Sequence, residues 1–176
     1  LIYVNQIGAN DNLIFDGSSF ILDKNGSKIK QLKSFSEELS SWEIDQTKPE
    51  KNKFENSEMS SIFDALVLGV KDYAKKCGFK TALIGLSGGI DSALVSAIAT
   101  AALGSDNIYC VSMPSKWSSS HSKSDAKDLA RRLNINFNSI PIENLMTSFE
   151  ESFIKTIDFE MAEITNQNIQ SRIRGT

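Results

Sequence analysis

The chain has 176 residues, 40% of them hydrophobic and 23% charged, with a net charge of −3. That length allows one sizeable core or one domain plus part of another, and the mildly acidic balance argues against a nucleic-acid partner. No apolar run reaches the roughly 18 residues of a membrane span, and the start lacks the charged-then-apolar pattern of a secretory leader. The two cysteines, Cys77 and Cys110, are too far apart for a metal-type pair and fit small buried side chains in a reducing cytoplasm.

Residues 1–33 read as short strands: LIYVNQIG, LIFDG, SFILD and KIKQL, separated by turn residues. Between the last two, Lys24-Asn25-Gly26-Ser27 signals a tight hairpin, because Asn-Gly accepts the positive φ angles of a type I′ turn. Strands this short need a larger sheet around them. Residues 34–59 turn polar and charged around Pro49, with no sustained period, and read as a linker. Trp42 stands out there as an anchor tying the linker to a surface.

From residue 60 helix and strand alternate. Ile62, Leu66, Val70, Tyr73 and Cys77 keep helical spacing, with serines ahead as caps and Gly78 as the stop. KTALIGLS reads as a buried strand, DSALVSAIATAALG as a helix apolar nearly all round, and NIYCVSMP as a second strand. SDAKDLARRLN is an amphipathic helix through Ala126, Leu129, Ala130 and Leu133. INFNSIPI is a third strand, and Leu145, Met146, Phe149, Phe153 and Ile157 mark the next helix. Alternation of this kind predicts an α/β fold, a doubly wound parallel sheet covered on both faces.

The chemistry concentrates in LIGLSGGIDSALVS. It follows the first parallel strand and opens a helix, where open α/β sheets bind ligands. A helix N-terminus offers unpaired N–H groups and a partial positive charge, so it attracts anions. Gly88 and Gly89 allow the backbone to bend and a phosphate to come close, while Ser87 and Ser92 add hydroxyls at either edge. The loop has no Walker lysine, and its glycines have the wrong spacing for a dinucleotide fingerprint. Asp91 would repel a triphosphate unless a divalent cation lay between them. Magnesium, bound through one carboxylate plus phosphate oxygens, is the usual arrangement.

Ser87-Gly88-Gly89-Ile90-Asp91-Ser92 resembles the pyrophosphate loop of the ATP pyrophosphatases, which cleave ATP between its α and β phosphates. VSMPSKWSSSHSKSDAKDLARRLNI is similar to NAD synthetases, as is NQNIQSRIRG, with Gln167 where that family usually has Glu. YVNQIGANDNLIFDGSSFILDKNG resembles the closing part of the nitrilase-like glutaminase domain of glutamine-dependent members. The resemblance implies three parts: the tail of a nitrilase-like α/β sandwich over 1–33, a linker over 34–59, and the first part of a synthetase domain over 60–176. That last part would have the adenine-nucleotide α-hydrolase-like fold.

The implied reaction is ATP-dependent amidation of deamido-NAD through an adenylated intermediate, with ammonia from glutamine or free in solution. Carried over by position, Gly85, Leu86, Ser87, Gly88, Gly89, Ile90, Asp91 and Ser92 would bind ATP, with Asp91 also reaching Mg2+. Asn168 falls at the family's deamido-NAD contact, and Arg172, one turn further on the same face, would meet the dinucleotide's phosphates. For Arg172 and Arg174 a salt-bridged role is as open as a ligand role, and Ile169, Ile173 and Thr176 would form the packed face. The resemblance also implies a homo-oligomer, a dimer or higher, in the cytoplasm.

No side chain here is assigned to catalysis. His121 reads as a surface residue ahead of a capped helix, and the loop of residues 115–120, with Lys116, either lines the nucleotide mouth or moves. Neither cysteine matches the glutaminase nucleophile, which the resemblance puts ahead of Leu1, with further synthetase strands after Thr176. The stretch alone is therefore expected to fold poorly and to make no NAD. Other readings are a GMP synthetase-like amidotransferase, a tRNA-thiolating enzyme and a non-catalytic ATP-binding module. The Met-Pro-Ser and Asn-Ile-Gln-x-Arg segments speak against the first. The lack of paired cysteines and of a basic surface speaks against the second.

Overall fold

The computed structural model describes residues 1–43, 57–157 and 163–175. Half of the linker, Pro49 included, lies outside them, as do Thr176 and the side chain of Ile157. The chain divides into two compact units, Leu1–Lys80 and Thr81–Thr176.

In the first unit the opening apolar run breaks into two strands. β1 (Ile2–Tyr3) pairs antiparallel with β4 (Phe20–Leu22), which pairs in turn with β5 (Lys28–Gln31). β2 (Ile7–Asn10) and β3 (Leu13–Asp16) form a separate hairpin, with Ile7 opposite Asp16 and Asn10 opposite Leu13. The break falls where Asn5 gives its backbone N–H to Ser19 Oγ at 3.0 Å and its amide to Asp16 Oδ1 at 3.0 Å. Two-residue β1 is held by a stack of Tyr3 on Phe20, ring centroids 5.0 Å apart.

The turn between β4 and β5 is not the type I′ turn read from Asn-Gly. Gly26 has φ +82°, but Asn25 is not at positive φ. The Asp23 carboxylate is the reason: it accepts from both Asn25 N and Ser27 N at 2.8 Å, holding the backbone open by an Asx arrangement. Trp42 anchors the start of the linker, with Lys30 Nζ 5.8 Å from its ring centroid and donating to Ser41 O.

α1 (Glu58–Cys77) follows. The Ser57 hydroxyl accepts from Ser60 N at its start, and Gly78 at φ +75° ends it. α1 packs on the β2–β3 hairpin. Asp72 Oδ2 accepts from Ala9 N at 2.7 Å and pairs with Lys76 at 3.0 Å, while Lys76 Nζ donates to Ala9 O. The exposed edge of β2 is thus closed by side chains of the helix.

The second unit is a parallel sheet. β6 (Ala82–Gly85), α2 (Ile90–Leu103), β7 (Ile108–Ser112), α3 (Ser120–Leu133) and β8 (Asn136–Ser139) alternate, and the strand order is β6-β7-β8. Ala82 lies opposite Ile108, and Ser112 opposite Ser139. α4 (Glu143–Ile157) and α5 (Glu163–Arg174) complete it. Because both crossovers advance in the same direction, their helices fall on one face. Leu86, Ile108 and Cys110 are packed there under Ala99, Ala126 and Ala130. Three alanines at the contact let the helices approach closely.

The parallel α/β architecture agrees with the alternation in the sequence. Cover on the second face does not come from the described residues, where Leu83 is 75% and Tyr109 45% exposed. α3 also begins four residues before the amphipathic pattern, because Ser119 caps it by accepting from Ser122 N at 3.0 Å. No helix among the described residues is long and apolar enough to cross a membrane.

Candidate active site

β6 delivers the chain to the carboxyl edge of the sheet. Leu86, 1% exposed, pins it there by its side chain and by its N–H to Val111 O at 2.9 Å. The next three residues turn into α2. Gly89 occupies the N-cap position at φ −87° and has no side chain to cap with, so the first N–H groups of α2 receive no side-chain cap.

The serines are spent mainly on the loop itself. Ser87 Oγ accepts from Gly89 N at 3.2 Å, and Ser92 Oγ donates to Gly89 O at 3.0 Å while lying 3.1 Å from Ser87 Oγ. They brace the turn and leave the helix N-terminus as the main donor array. Ile90 is exposed.

The two glycines differ. Gly88 sits at φ +85°, and a Cβ there would lie 2.2 Å from Ser122 O. Its bare Cα lets the first turn of α3 pack against the loop. Gly89 is in ordinary extended backbone, and a Cβ would meet only Ser87 Oγ, at 3.3 Å.

Asp91 stands exposed in the first turn of α2, where the helix dipole favours its charge. Its carboxylate has no hydrogen bond or ion pair among the described residues. No cluster of three or more metal-type side chains occurs among those residues either. Among the described residues the loop thus presents one carboxylate rather than a cage. That fits magnesium, which takes one or two carboxylates and completes its octahedron with phosphate oxygens and water.

The opposite wall comes from the end of β7. Ser112, Met113 and Pro114 lead into a turn in which Ser118 N donates to Ser115 O at 3.0 Å and Ser115 N donates to Ser118 Oγ at 2.9 Å. Ser115, 4% exposed, also donates to Gln170 Oε1 of α5 at 3.2 Å. The 115–120 loop is therefore closed on itself and fastened to α5, and its Trp117, Ser118 and Ser119 line a cleft of about 550 Å³. Lys116 is not a lining residue. It lies 3.6 Å from Glu150 and 4.4 Å from the centroid of the Trp117 ring.

Gly85, Leu86 and Ser87 form the other side of this cleft, and Ser122, Lys123 and Arg174 complete it. Arg174 Nε donates to Met113 O at 3.2 Å. Asn168 and Arg172 are exposed on α5 and are not among the walls of the cleft, whereas Ile169 and Ile173 are half-buried. Neighbouring Asn166, Gln167 and Gln170 enclose, with Trp117, a smaller cavity of about 190 Å³, and Asn166 Oδ1 is buried without a partner among the described residues.

His121 lies inside the first turn of α3, not ahead of it, exposed and outside the cleft. Cys77 is exposed at the end of α1, and Cys110 is buried in β7, where burial raises its thiol pKa. Lys123 and Trp117 carry no motif of their own in the sequence. The signal for both was available, since the second crossover also opens at the carboxyl edge, beside the first.

A model of the NAD synthase family matches residues 62–176. The chain belongs to the NAD synthase family. Among curated relatives, it is 43% identical over 99% of its length to a glutamine-dependent NAD(+) synthetase of Synechocystis, covering 32% of that protein. A glutamine-dependent NAD(+) synthetase of Rhodobacter capsulatus is 38% identical over 99% of the chain, which covers 33% of it. Among solved structures, a glutamine-dependent NAD+ synthetase of Acinetobacter baumannii in complex with ADP superposes with a TM-score of 0.88 at 36% identity. That match covers 99% of this chain and 34% of that one. The chain spans about a third of the length of the curated relatives it matches. The family match begins within α1 and takes in both walls of the cleft.

Proposed function

We propose that the protein amidates deamido-NAD to NAD at the expense of ATP. One observation carries the reading: in a chain of the NAD synthase family, a helix N-terminus with no side-chain cap follows directly on Gly85, Leu86 and Ser87, which line a cleft of about 550 Å³ at the carboxyl edge of a parallel sheet. In this reading a nicotinate carboxylate oxygen attacks the α phosphorus of ATP, and the α–β anhydride breaks with its electron pair leaving on pyrophosphate. Ammonia then attacks the adenylated carbonyl, loses a proton and expels AMP.

The protein's part is binding and charge stabilisation. Gly85, Leu86, Ser87, Gly88, Gly89, Ile90, Asp91 and Ser92 take the triphosphate, with backbone N–H groups of α2 as donors. Asp91 would hold magnesium together with phosphate oxygens, and the ion supplies charge neutralisation there. Asn168 and Arg172 face deamido-NAD. No residue of this chain is assigned as a general base, since ammonia is already a nucleophile and its proton can leave to water. Ammonia comes from glutamine through a thiolate that is neither Cys77 nor Cys110, or from solution. ATP supply and free thiols both fit a cytoplasmic protein, and the active form is a homo-oligomer.

The test uses a polypeptide carrying this chain at the full length of its relatives, given ATP, magnesium, ammonium and deamido-NAD. Pyrophosphate, AMP and NAD should appear in equal amounts, and none when xanthosine monophosphate or aspartate replaces deamido-NAD. Pyrophosphate formed with either substitute, or none with deamido-NAD, overturns the reading.

A further inference from the structure

The cations around the cleft are not equivalent. Lys116 faces Glu150 and the Trp117 ring, and the Nε–H of Arg174 is given to the backbone of Met113. Lys123 lines the same cleft from the first turn of α3, and its ammonium has no hydrogen bond or ion pair among the described residues.

Its position relative to the phosphate loop is set by backbone packing. Ser122, the residue before it, lies against Gly88 so closely that no Cβ fits between them. The loop and the first turn of α3 are therefore held as one rigid wall, with Ser87 and Lys123 both opening into the cleft.

We infer that Lys123 is the cation that receives the pyrophosphate leaving group. This rests on the functional reading above. When the α–β anhydride breaks, negative charge grows on the bridging oxygen and stays on the departing pyrophosphate. The N–H groups of α2 meet that charge from one side. Asp91 adds a negative charge in the first turn of α2. A mobile ammonium on the adjoining helix supplies a charge-assisted donor from a second direction, and no other positive side chain lining the cleft is without a partner among the described residues. A lysine suits the task because its point charge on a flexible stem follows the group as it moves away.

The test compares wild type, Lys123→Gln and Lys123→Arg in the full-length polypeptide. Binding of inorganic pyrophosphate and of AMP is measured by calorimetry with magnesium present, alongside the rate of pyrophosphate formation. Lys123→Gln should weaken pyrophosphate binding by about 10- to 100-fold, as expected for loss of a hydrogen bond to a charged group. AMP affinity should stay unchanged, and turnover should fall by about 100-fold or more. Lys123→Arg should recover most of the pyrophosphate affinity. Equal losses for AMP and pyrophosphate would mean that Lys123 only supports the fold of the cleft, and unchanged pyrophosphate affinity would place the leaving group elsewhere. Either overturns the inference. If wild type binds pyrophosphate through Lys123 yet makes none from deamido-NAD, the functional reading fails, and Lys123 is left as a pyrophosphate-binding cation of a different reaction.

Discussion

Replacing Gly88 by alanine should damage the fold, whereas the same change at Gly89 should damage only ligand binding. At Gly88 two costs add. The residue sits at φ +85°, where an L side chain costs about 1–2 kcal/mol. The new Cβ would also stand 2.2 Å from Ser122 O, 2.8 Å from Ser122 Cα and 2.9 Å from Ser122 C, against 3.4 Å for ordinary contact. All three atoms are backbone of a capped helix, so no side chain can swing away. α3 must move as a body by more than an ångström, and overpacking of that kind costs about 1–3 kcal/mol. The sum, about 2–5 kcal/mol, is a large share of the roughly 5–15 kcal/mol that holds a typical domain together.

At Gly89 the backbone is at φ −87° and ψ 159°, which alanine adopts without strain, and the nearest atom is a hydroxyl at 3.3 Å that can rotate. Stability should change by less than about 0.5 kcal/mol. Urea unfolding of the two alanine variants, followed by the second unit's helix signal, measures the difference. ATP affinity by calorimetry then shows what Gly89→Ala and the bulkier Gly89→Val do to the site. Equal midpoints for Gly88→Ala and Gly89→Ala would refute the packing argument, and normal ATP affinity in Gly89→Val would put the phosphates away from this loop.

Asp91→Asn should weaken the dependence of ATP binding on magnesium. Superimposable metal titrations for variant and wild type would remove Asp91 from the metal's shell. The Ala9 N–H and then Lys76 hold the Asp72 carboxyl below its ordinary pKa. A depressed pKa means stability that is present above the unfolded value and lost as pH falls through the folded one. Asp128, depressed by Arg131 and Arg132, adds to the same acid limb, so Asp72→Asn should flatten but not abolish the fall of the urea midpoint below about pH 4. Iodoacetamide at neutral pH should label Cys77 in the native protein and reach buried Cys110 only after unfolding. Labelling of both in the native state would show that the β7 core opens readily.

Local chemistry made much of the fold legible. The spacing of Ile62, Leu66, Val70 and Tyr73, framed by serines and Gly78, marks α1 because capping and periodicity both act within a few residues. The strands β6 and β7 and the turn into α2 were legible for the same reason. What failed were features decided by a competing partner. Asn25-Gly26 has the composition of a type I′ turn, but the Asp23 carboxylate captures two N–H groups and selects a different turn. The first apolar run looks continuous, yet Asn5 is drawn off by Asp16 and Ser19 and splits it in two. The start of α3 is hidden from periodicity because its first turn, Ser120 to Lys123, is polar and only the hydroxyl of Ser119 defines it.

The site divides along the same line. The motif from Gly85 to Ser92 is legible because one short loop supplies the bend, the bare backbone and the helix N-terminus together. The walls facing it come from residues far along the chain, and their register depends on tertiary contacts. Asn168 and Arg172 share a helical face by spacing alone, but two residues on a helix point about 200° apart, so whether Arg172 or Arg174 enters the cleft depends on the rotation of α5. That rotation is held by Gln170, which receives the Ser115 hydroxyl from 55 residues earlier, and by Arg174 on Met113 O. Gly88 makes the same point in reverse. Sequence explains a glycine in a phosphate loop by the phosphate, whereas the structure adds a second demand from the backbone of Ser122. A residue answering both demands leaves almost no room for substitution. Gly89 answers only one, so its replacement by alanine separates binding from folding.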